Sequence, residues 1–362
     1  MPPINPITTS PEGQELEILT LTQDKTLTTT PIDTPPPPSP PTTTTTTDPQ
    51  LSWPKSNPLL RSALSEFFGT MILILFGNGV VAQVLLSHNQ KGSYQSISWG
   101  WGLGVMLAIY VSTPSGSHLN PAITWTLCLL RHFPWSLLPL YTLSQLLGAM
   151  TGSAIVYANY RSAIDTYEGG ASHRTVPGIS PPSPPSPSPE TATAGIFSTY
   201  PAPFLTLPGQ FFSESLASAI LMFMIFALKD ERNLGAPAAS PIGFGVGPLL
   251  FPLAMFFVVF GLGACFGWET GYAMNMARDF GPRLVAYMIG YGRGVWVAGG
   301  YYFWVPIVAP FFGCTVGGWL YDAFLYTGAD SVVNTPYLGF QPVVGLFIRR
   351  RRRESSNLQS PV

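Results

Sequence analysis

Six long stretches of apolar residues, separated by shorter polar segments, set the pattern of this 362-residue chain. A helix needs roughly 20 residues to cross the hydrocarbon of a membrane, which is about 30 Å thick. The apolar stretches are close to that length and cover residues 62–86, 94–111, 134–157, 210–228, 249–266 and 302–325. The pattern therefore predicts six membrane-spanning helices, and this even number places both chain ends on one side of the membrane.

Two further apolar segments are too short to cross a membrane. The first covers residues 119–130 and is closed by Arg131. Ten helical residues rise about 15 Å, which is half the thickness of the hydrocarbon. Asn120 is a favourable N-cap and Pro121 suits the first helical position, so we expect a half-length helix that enters the membrane and stops midway.

The second short segment repeats the start of the first after 155 positions. The repeated triplets are Asn120-Pro121-Ala122 and Asn275-Met276-Ala277. Each lies within a group of three long stretches, and an odd number of crossings makes the second copy enter from the opposite face. The predicted fold is an all-α membrane protein with six transmembrane helices and two re-entrant half-helices in an inverted 3+3 repeat. The two copies occupy residues 58–160 and 209–326.

Composition also indicates a membrane protein. Hydrophobic residues make up 46% of the chain and charged residues only 10%, which is too apolar for an ordinary soluble domain. The formal net charge of −1 argues against nucleic-acid binding. Cationic residues concentrate on segments that would share one side, which the positive-inside rule makes cytoplasmic: Lys55, Arg61, Arg131, Lys229, Arg232 and the run 349–353. We expect a plasma-membrane protein with both termini in the cytoplasm.

Three segments fall outside the two copies. Residues 1–57 are rich in Pro and Thr and are expected to form a disordered cytoplasmic tail. Residues 161–208 contain a Pro/Ser run and are expected to form a long extracellular loop, while residues 327–362 form a cytoplasmic C-terminal tail. No basic region followed by an apolar core opens the sequence, so a cleavable signal peptide is not expected. The three cysteines lie in apolar stretches and are predicted to be buried thiols: Cys128, Cys265 and Cys314.

The facing ends of the two half-helices define the predicted chemistry. Each helix N-terminus carries about +0.5 elementary charge, so two such ends near the midplane repel cations, including hydronium. The side-chain amides of Asn120 and Asn275 can donate hydrogen bonds to a passing oxygen. A neutral hydroxylated solute is therefore favoured over an ion. No nucleophile with a base, metal-ligand cluster or cofactor loop has a recognisable spacing, so no enzyme activity, metal or cofactor is expected.

These features resemble the aquaporin, or major intrinsic protein, family across residues 62–325. One departure is Met276, because the family has proline at this position. The resemblance implies a passive channel, a homotetramer in the lipid bilayer, and a selectivity constriction at Trp101, Gly263, Tyr272 and Arg278. Gly263, Asp279 and residues 197–201 resemble the glycerol-facilitating, or aquaglyceroporin, branch. The implied solutes are glycerol and other small neutral molecules, with some water, and the implied channel excludes ions and protons.

Five polar residues of the predicted site have expected roles. Arg278 would be costly at membrane depth unless it faced water or a partner, so it is predicted to mark the pathway. The alternative is a surface ion pair with Asp279, although Asp279 is expected rather to fix loop structure. The resemblance suggests that Glu66 and Glu214 accept hydrogen bonds from the backbone of the re-entrant loops. His118 is expected to be a structural hydrogen-bonding residue and not a metal ligand.

Three alternatives stay open on the sequence alone. A water-selective channel is the nearest, because the width of the constriction depends on Gly263. A poorly conducting or regulated membrane protein would result if Met276 restricted the pore. A proton-coupled carrier would use Glu66 or Glu214 as its titrating group.

Overall fold

A computed structural model of the chain describes residues 53–171, 173–179, 192–230 and 247–339. Its regular elements are helices, and these residues contain no strand. Three predicted features lie outside the described residues: the N-terminal tail through residue 52, the Pro/Ser run of the long loop, and the C-terminal tail from residue 340.

Six long helices form the body of the protein. They are α2 (Pro58–Leu86), α3 (Tyr94–Ser112), α5 (Leu138–Tyr167), α6 (Leu207–Lys229), α7 (Gly247–Thr270) and α10 (Val305–Phe324). Two half-length helices interrupt this series, α4 (Pro121–Leu130) and α8 (Met276–Ala286). Two short helices precede α2 and α10, namely α1 (Trp53–Ser56) and α9 (Gly294–Tyr301). Helix α1 lies within the tail expected to be disordered, so that expectation is wrong for these four residues. The described helices therefore agree with the predicted set of six spans and two half-helices.

Four helical segments are long and apolar enough to cross a membrane: Pro58–Leu86, Leu207–Lys229, Leu250–Thr270 and Gly294–Phe324. The last of these is interrupted by non-helical backbone at residues 298–300, near the end of α9 and before α10. The other two long helices, α3 and α5, have 19 and 30 residues but a lower hydropathy, with serine, glutamine and aromatic side chains among their apolar ones. Many of these polar side chains point into the protein, since Ser98, Gln145 and Ser153 are fully buried. Burial keeps these groups away from lipid, which allows less apolar helices to occupy the bundle.

Helix α5 differs from the predicted third stretch at both ends. The 3-10 turn Trp135–Leu137 precedes it, and the helix extends to Tyr167, beyond the predicted end at residue 157. In the extension Ile164 is fully buried. Arg161 and Asp165 face each other one turn apart on the outer side, with 4.0 Å between the charged atoms. The extension is amphipathic, so an apolar stretch alone underestimates its length.

Glycines bring neighbouring helices into backbone contact in both copies. In the first copy, a Cβ on Gly148 of α5 would lie 2.2 Å from the carbonyl oxygen of Phe67 in α2. In the second copy, a Cβ on Gly317 of α10 would lie 2.0 Å from the carbonyl oxygen of Ala219 in α6. Any larger side chain at either position would push the helices apart. Close contact at a glycine therefore holds the equivalent pair of helices together in each copy.

The cysteines do not share one environment. Cys128 and Cys314 are buried, whereas Cys265 is exposed on α7. The prediction of three buried thiols is therefore wrong for Cys265. Helix α7 is apolar on all sides, and such a sequence gives no sign of which face meets lipid and which meets protein.

An ion pair holds the end of the first half-helix against α10. Arg131 follows α4 and forms an ion pair with Asp322 through two guanidinium nitrogens. Its guanidinium carbon lies 4.0 Å from the centre of the Phe226 ring. Beyond α10, the Ser331 hydroxyl donates to the same Asp322 carboxylate at 2.7 Å. These contacts hold the described C-terminal residues against the end of α4.

Candidate functional site

Each half-helix begins with an asparagine cap. Asn120 has extended backbone, and its side-chain oxygen accepts a hydrogen bond from Ala122 N at 3.0 Å. Asn275 has the same conformation and accepts from Ala277 N at 2.9 Å and from Arg278 N at 3.2 Å. Such caps satisfy amides that the first helical turn would otherwise leave unpaired.

The two caps meet and bond to each other's loop. The amide nitrogen of Asn120 donates to the carbonyl oxygen of Met274 at 2.7 Å. The amide nitrogen of Asn275 donates to the carbonyl oxygen of Leu119 at 2.8 Å. Each amide has a second hydrogen, which no protein acceptor among the described residues takes. The structure thus brings the two predicted asparagines together with one donor on each still available.

Two buried carboxylates hold the loops that lead into the caps. Glu66 in α2 accepts hydrogen bonds from the backbone amides of His118 at 2.9 Å and Leu119 at 2.7 Å. Glu214 in α6 accepts from Ala273 and Met274, both at 2.9 Å. Both carboxylates have no exposed surface. Charge-assisted bonds to backbone amides are the partners that a buried carboxylate requires.

The same loops contain backbone strain at matching positions. Ser117 and Leu119 have φ of 57° and 56°, and the residues 155 positions later, Tyr272 and Met274, have φ of 40° and 49°. Left-handed backbone costs roughly 1–3 kcal/mol for each residue other than glycine, and it persists only where surrounding contacts enforce it. The amides bound by Glu66 and Glu214 are among those contacts.

An internal cavity includes both asparagines in its wall. Three helices contribute lining residues at intervals of four, as expected for one face of a helix. These rows are Trp101, Val105 and Ile109 in α3, Leu221, Ile225 and Lys229 in α6, and Phe251, Met255 and Val259 in α7. His118, Tyr272, Met274 and Arg278 also line the cavity, and no Asp or Glu is among its described lining residues.

Arg278 lies inside this cavity and not at the protein surface. The residue is 7% exposed, and its guanidinium carbon lies 4.1 Å from the centre of the Trp101 ring. Within the described part of the chain, the guanidinium donates to no protein acceptor, since only the backbone amide of Arg278 forms a hydrogen bond. Its donors are therefore directed to the contents of the cavity. The alternative of a surface ion pair between Arg278 and Asp279 is wrong, because Asp279 binds another arginine.

That arginine is Arg283, one helical turn further along α8. Its Nε lies 2.9 Å from Asp279 Oδ1, and both residues are at most 1% exposed. Arg283 also donates to the carbonyl oxygens of Val295 and Thr199, each at 2.7 Å. Asp279 in turn accepts from the backbone amide of Thr199 at 2.7 Å. This buried network ties the long loop to the half-helix directly after Arg278.

Tyr272 fills the space beside Gly263. A Cβ on Gly263 would lie 2.8 Å from the hydroxyl oxygen of Tyr272 and 3.0 Å from the hydroxyl of Ser98. The hydroxyl of Tyr94 donates to the carbonyl oxygen of Gly263 at 3.0 Å. Gly263 therefore acts by admitting the Tyr272 ring, while Trp101, Tyr272 and Arg278 themselves line the cavity.

His118 also lines the cavity, two residues before the first cap. Its Nδ1 lies 3.1 Å from the hydroxyl oxygen of Thr124, and its ring packs against those of Phe133 and Tyr141. Among the described residues, no group of three or more His, Cys, Asp or Glu side chains is arranged to hold a metal ion.

Met276 occupies the first position of α8 and is not among the lining residues of the cavity. Met274, two residues earlier, is a lining residue. Sequence reasoning missed Met274, Lys229 and Arg283 as parts of the site. Signals existed for two of them: Lys229 continues a row spaced by four, and Arg283 follows Asp279 by one turn.

Comparisons with known proteins agree with this geometry. A family profile described as Major intrinsic protein matches residues 54–321. Probable aquaglyceroporin-2 of Gibberella zeae is 58% identical over 308 residues, which cover 85% of this chain and 84% of that protein. Aquaglyceroporin-9 of Botryotinia fuckeliana is 58% identical over 293 residues, covering 81% of this chain and 60% of that longer protein.

A solved structure has the same fold. The X-ray structure of the aquaglyceroporin from Plasmodium falciparum aligns with a TM-score of 0.61 and 29% sequence identity, covering 74% of this chain and 97% of that one. Together with the family profile, it confirms the predicted inverted repeat of six spans and two half-helices.

Proposed function

Because the chain belongs to the major intrinsic protein family, we propose that it is a passive membrane channel for glycerol and other small neutral solutes, with some water. It is a multi-pass membrane protein and not an enzyme. The observation that carries the proposal is the cavity whose wall contains two crossed asparagine caps and Arg278, with no carboxylate among its described lining residues. Such a wall offers hydrogen-bond donors to neutral oxygens and repels cations.

The selectivity constriction in this proposal consists of Trp101, Tyr272 and Arg278, with Gly263 behind Tyr272. A polyol has hydroxyl groups along one edge and carbon atoms along the other. Arg278 can bind two hydroxyl oxygens at once through its planar guanidinium. The rings of Trp101 and Tyr272 give the carbon edge an apolar surface. The aromatic corner and the arginine together favour glycerol over an ion of equal size.

The remaining polar residues have supporting roles in the proposal. Asn120-Pro121-Ala122 and Asn275-Met276-Ala277 start the half-helices, and Glu66 and Glu214 hold the preceding loops in their strained conformation. Asp279 fixes the long loop through Thr199. His118 orients Thr124 and contributes to the wall of the cavity.

The burial of both glutamates disfavours a proton-coupled carrier. A titrating group in a carrier must exchange protons with the transport path. Glu66 and Glu214 are fully buried, accept backbone hydrogen bonds and do not line the cavity. Restriction of the pore by Met276 is disfavoured as well, because this side chain lies outside the lining.

The wider organisation follows the family and is also proposed. Residues 58–160 and 209–326 would form the two channel repeats. The connection over residues 161–208 would be extracellular, and it begins with the last turns of α5 and ends with the first residues of α6. Residues 1–57 and 327–362 would be cytoplasmic tails. A homotetramer in the lipid bilayer of the plasma membrane is the proposed assembly, and the cations at Arg61, Arg131 and Lys229 support the orientation.

Gly263→His tests the function and the constriction together. Purified protein in lipid vesicles should conduct glycerol, and uncouplers should leave the flux unchanged because no proton gradient drives it. Since a Cβ at residue 263 already meets Tyr272, histidine would push that ring into the cavity. We expect glycerol flux to fall by at least about tenfold and water flux to fall less, as a narrowed opening discriminates by size.

Gly261→Ala is the matched control on the same helix, because a Cβ at residue 261 meets no atom within 4 Å. Glycerol flux in this variant should equal that of the unmodified protein. Equal glycerol flux in Gly263→His would reject the proposed constriction. Uncoupler-sensitive uptake in the unmodified protein would reject the passive channel.

A further inference from the structure

Lys229 continues the cavity-lining face of α6. Leu221, Ile225 and Lys229 follow one another at intervals of four, and all three line the cavity that contains the asparagine caps. Lys229 is the last residue of the helix. Its ammonium nitrogen lies 5.1 Å from the centre of the Phe251 ring, which also belongs to the lining. Lys229 is an exposed residue, so its ammonium lies at the open end of the cavity wall.

Lys229 and Arg278 lie at opposite ends of the cavity. Phe251, beside Lys229, lies near the start of the long helix α7, whereas Tyr272 and Arg278 follow the end of that helix. At 1.5 Å per residue, the helix between them spans on the order of 30 Å. One cation therefore stands near each mouth, and the two caps lie between them.

No carboxylate in the described residues forms a direct ion pair with the ammonium of Lys229. The ion pairs of the described residues do not include it. The neighbouring Asp230 is buried, accepts the hydroxyl of Tyr321 at 2.8 Å and does not line the cavity. Glu66, the nearest acid of the cap region, is occupied by backbone amides. Within the described residues, the positive charge of Lys229 is therefore not held in a direct ion pair.

We propose that Lys229 is a second charge filter, which excludes small organic and inorganic cations at the mouth opposite Arg278. The inference rests on the proposed channel function and adds a specificity-determining residue to it. A fixed charge beside apolar walls acts more strongly than the same charge in open water, because the walls have a low dielectric constant. Arg278 and the two caps oppose cations further along the pore, whereas Lys229 would oppose their entry at the other mouth.

The test measures methylammonium leak in vesicles, relative to glycerol flux through the same protein. Arg278→Ala first removes the filter at the other mouth and supplies a measurable leak. Adding Lys229→Met to that variant should raise the ratio of methylammonium to glycerol flux by about tenfold. Adding Lys229→Arg, which keeps the charge, should leave the ratio as in Arg278→Ala alone. Lys229→Gln provides a second neutral variant should the methionine variant fold poorly.

Lys91→Met in the Arg278→Ala background is the matched control. Lys91 is an exposed lysine in the loop between α2 and α3, and it does not line the cavity. Its removal should leave the ratio unchanged. If both neutral variants of Lys229 leak no more than Arg278→Ala alone, while the unmodified protein conducts glycerol, the second filter is rejected and the channel function stands. If the unmodified protein conducts no glycerol, both proposals fail.

Discussion

The two half-helices share one backbone arrangement but differ in the side chains they carry. Each has an asparagine cap bonded to the opposite loop, and each is preceded by strained residues held by a buried glutamate. The second half-helix nevertheless has three charged residues where the first has uncharged ones. The matching pairs, 155 positions apart, are Ile123 and Arg278, Thr124 and Asp279, and Cys128 and Arg283.

This difference separates what builds the pore from what selects the solute. The shared part depends on backbone amides and carbonyls, which do not change when neighbouring side chains diverge. Ile123 and Arg278 both line the cavity from equivalent positions, so one wall segment is apolar and the other offers donors. The charge near the mouth opposite Arg278 comes instead from Lys229 on α6. The channel is thus symmetric in its scaffold and asymmetric in its chemistry.

Asp279→Ala should cause the largest loss of stability and show most clearly how the two half-helices differ. The variant leaves Arg283 buried and without its carboxylate, and it removes the acceptor for the Thr199 amide. Loss of one partner from a buried ion pair costs about 3–5 kcal/mol of stability. The matching change in the first half-helix, Thr124→Ala, removes only neutral hydrogen bonds and should cost about 1 kcal/mol.

Unfolding of the detergent-solubilised protein, followed by tryptophan fluorescence, measures both losses. Similar losses for Asp279→Ala and Thr124→Ala would show that the charged network of α8 contributes no more than the neutral contacts of α4.

Glu66→Gln and Glu214→Gln should cause an intermediate loss of stability and allow the equivalent glutamates of the two copies to be compared. In either variant the new amide group faces a backbone N–H that loses its acceptor, at a cost of about 1–3 kcal/mol. Glu66 also accepts from Ser115 at 2.6 Å and from Gln145 at 2.8 Å, whereas Glu214 has one further donor, Tyr302, at 3.3 Å. We therefore expect Glu66→Gln to lower the unfolding midpoint more. The reverse order would mean that these additional bonds do not stabilise the first copy.

The scaffold was predictable from the sequence because its causes are local. Apolar length predicts the spans, and an Asn before a small residue predicts each cap. The inverted frame follows from an odd number of crossings in each half. Even Lys229 had a visible signal, since it stands four residues after Ile225 and eight after Leu221.

The buried network could not be predicted because its causes are distant in sequence. Arg283 is neutralised by Asp279 in its own helix, but its other acceptors are carbonyls of Val295 and of Thr199, which lies 84 positions away. Nor does the sequence show that Met274 faces the cavity and Met276 does not. That choice depends on the left-handed backbone of Met274, which Glu214 helps to enforce.

Met276→Pro and its reciprocal, Pro121→Met, should have the smallest effect and test whether the one difference between the cap triplets matters. Both residues occupy the first helical position, where the backbone N–H has no partner within the helix. Among the described residues the amide of Met276 donates no hydrogen bond, and its side chain does not line the cavity. We expect less than about 1 kcal/mol change in stability and less than about a twofold change in glycerol flux for either variant. A several-fold rise in glycerol flux in Met276→Pro would instead identify Met276 as the residue that restricts conduction. It would also show that the cap triplets contribute to the difference between the two halves of the channel.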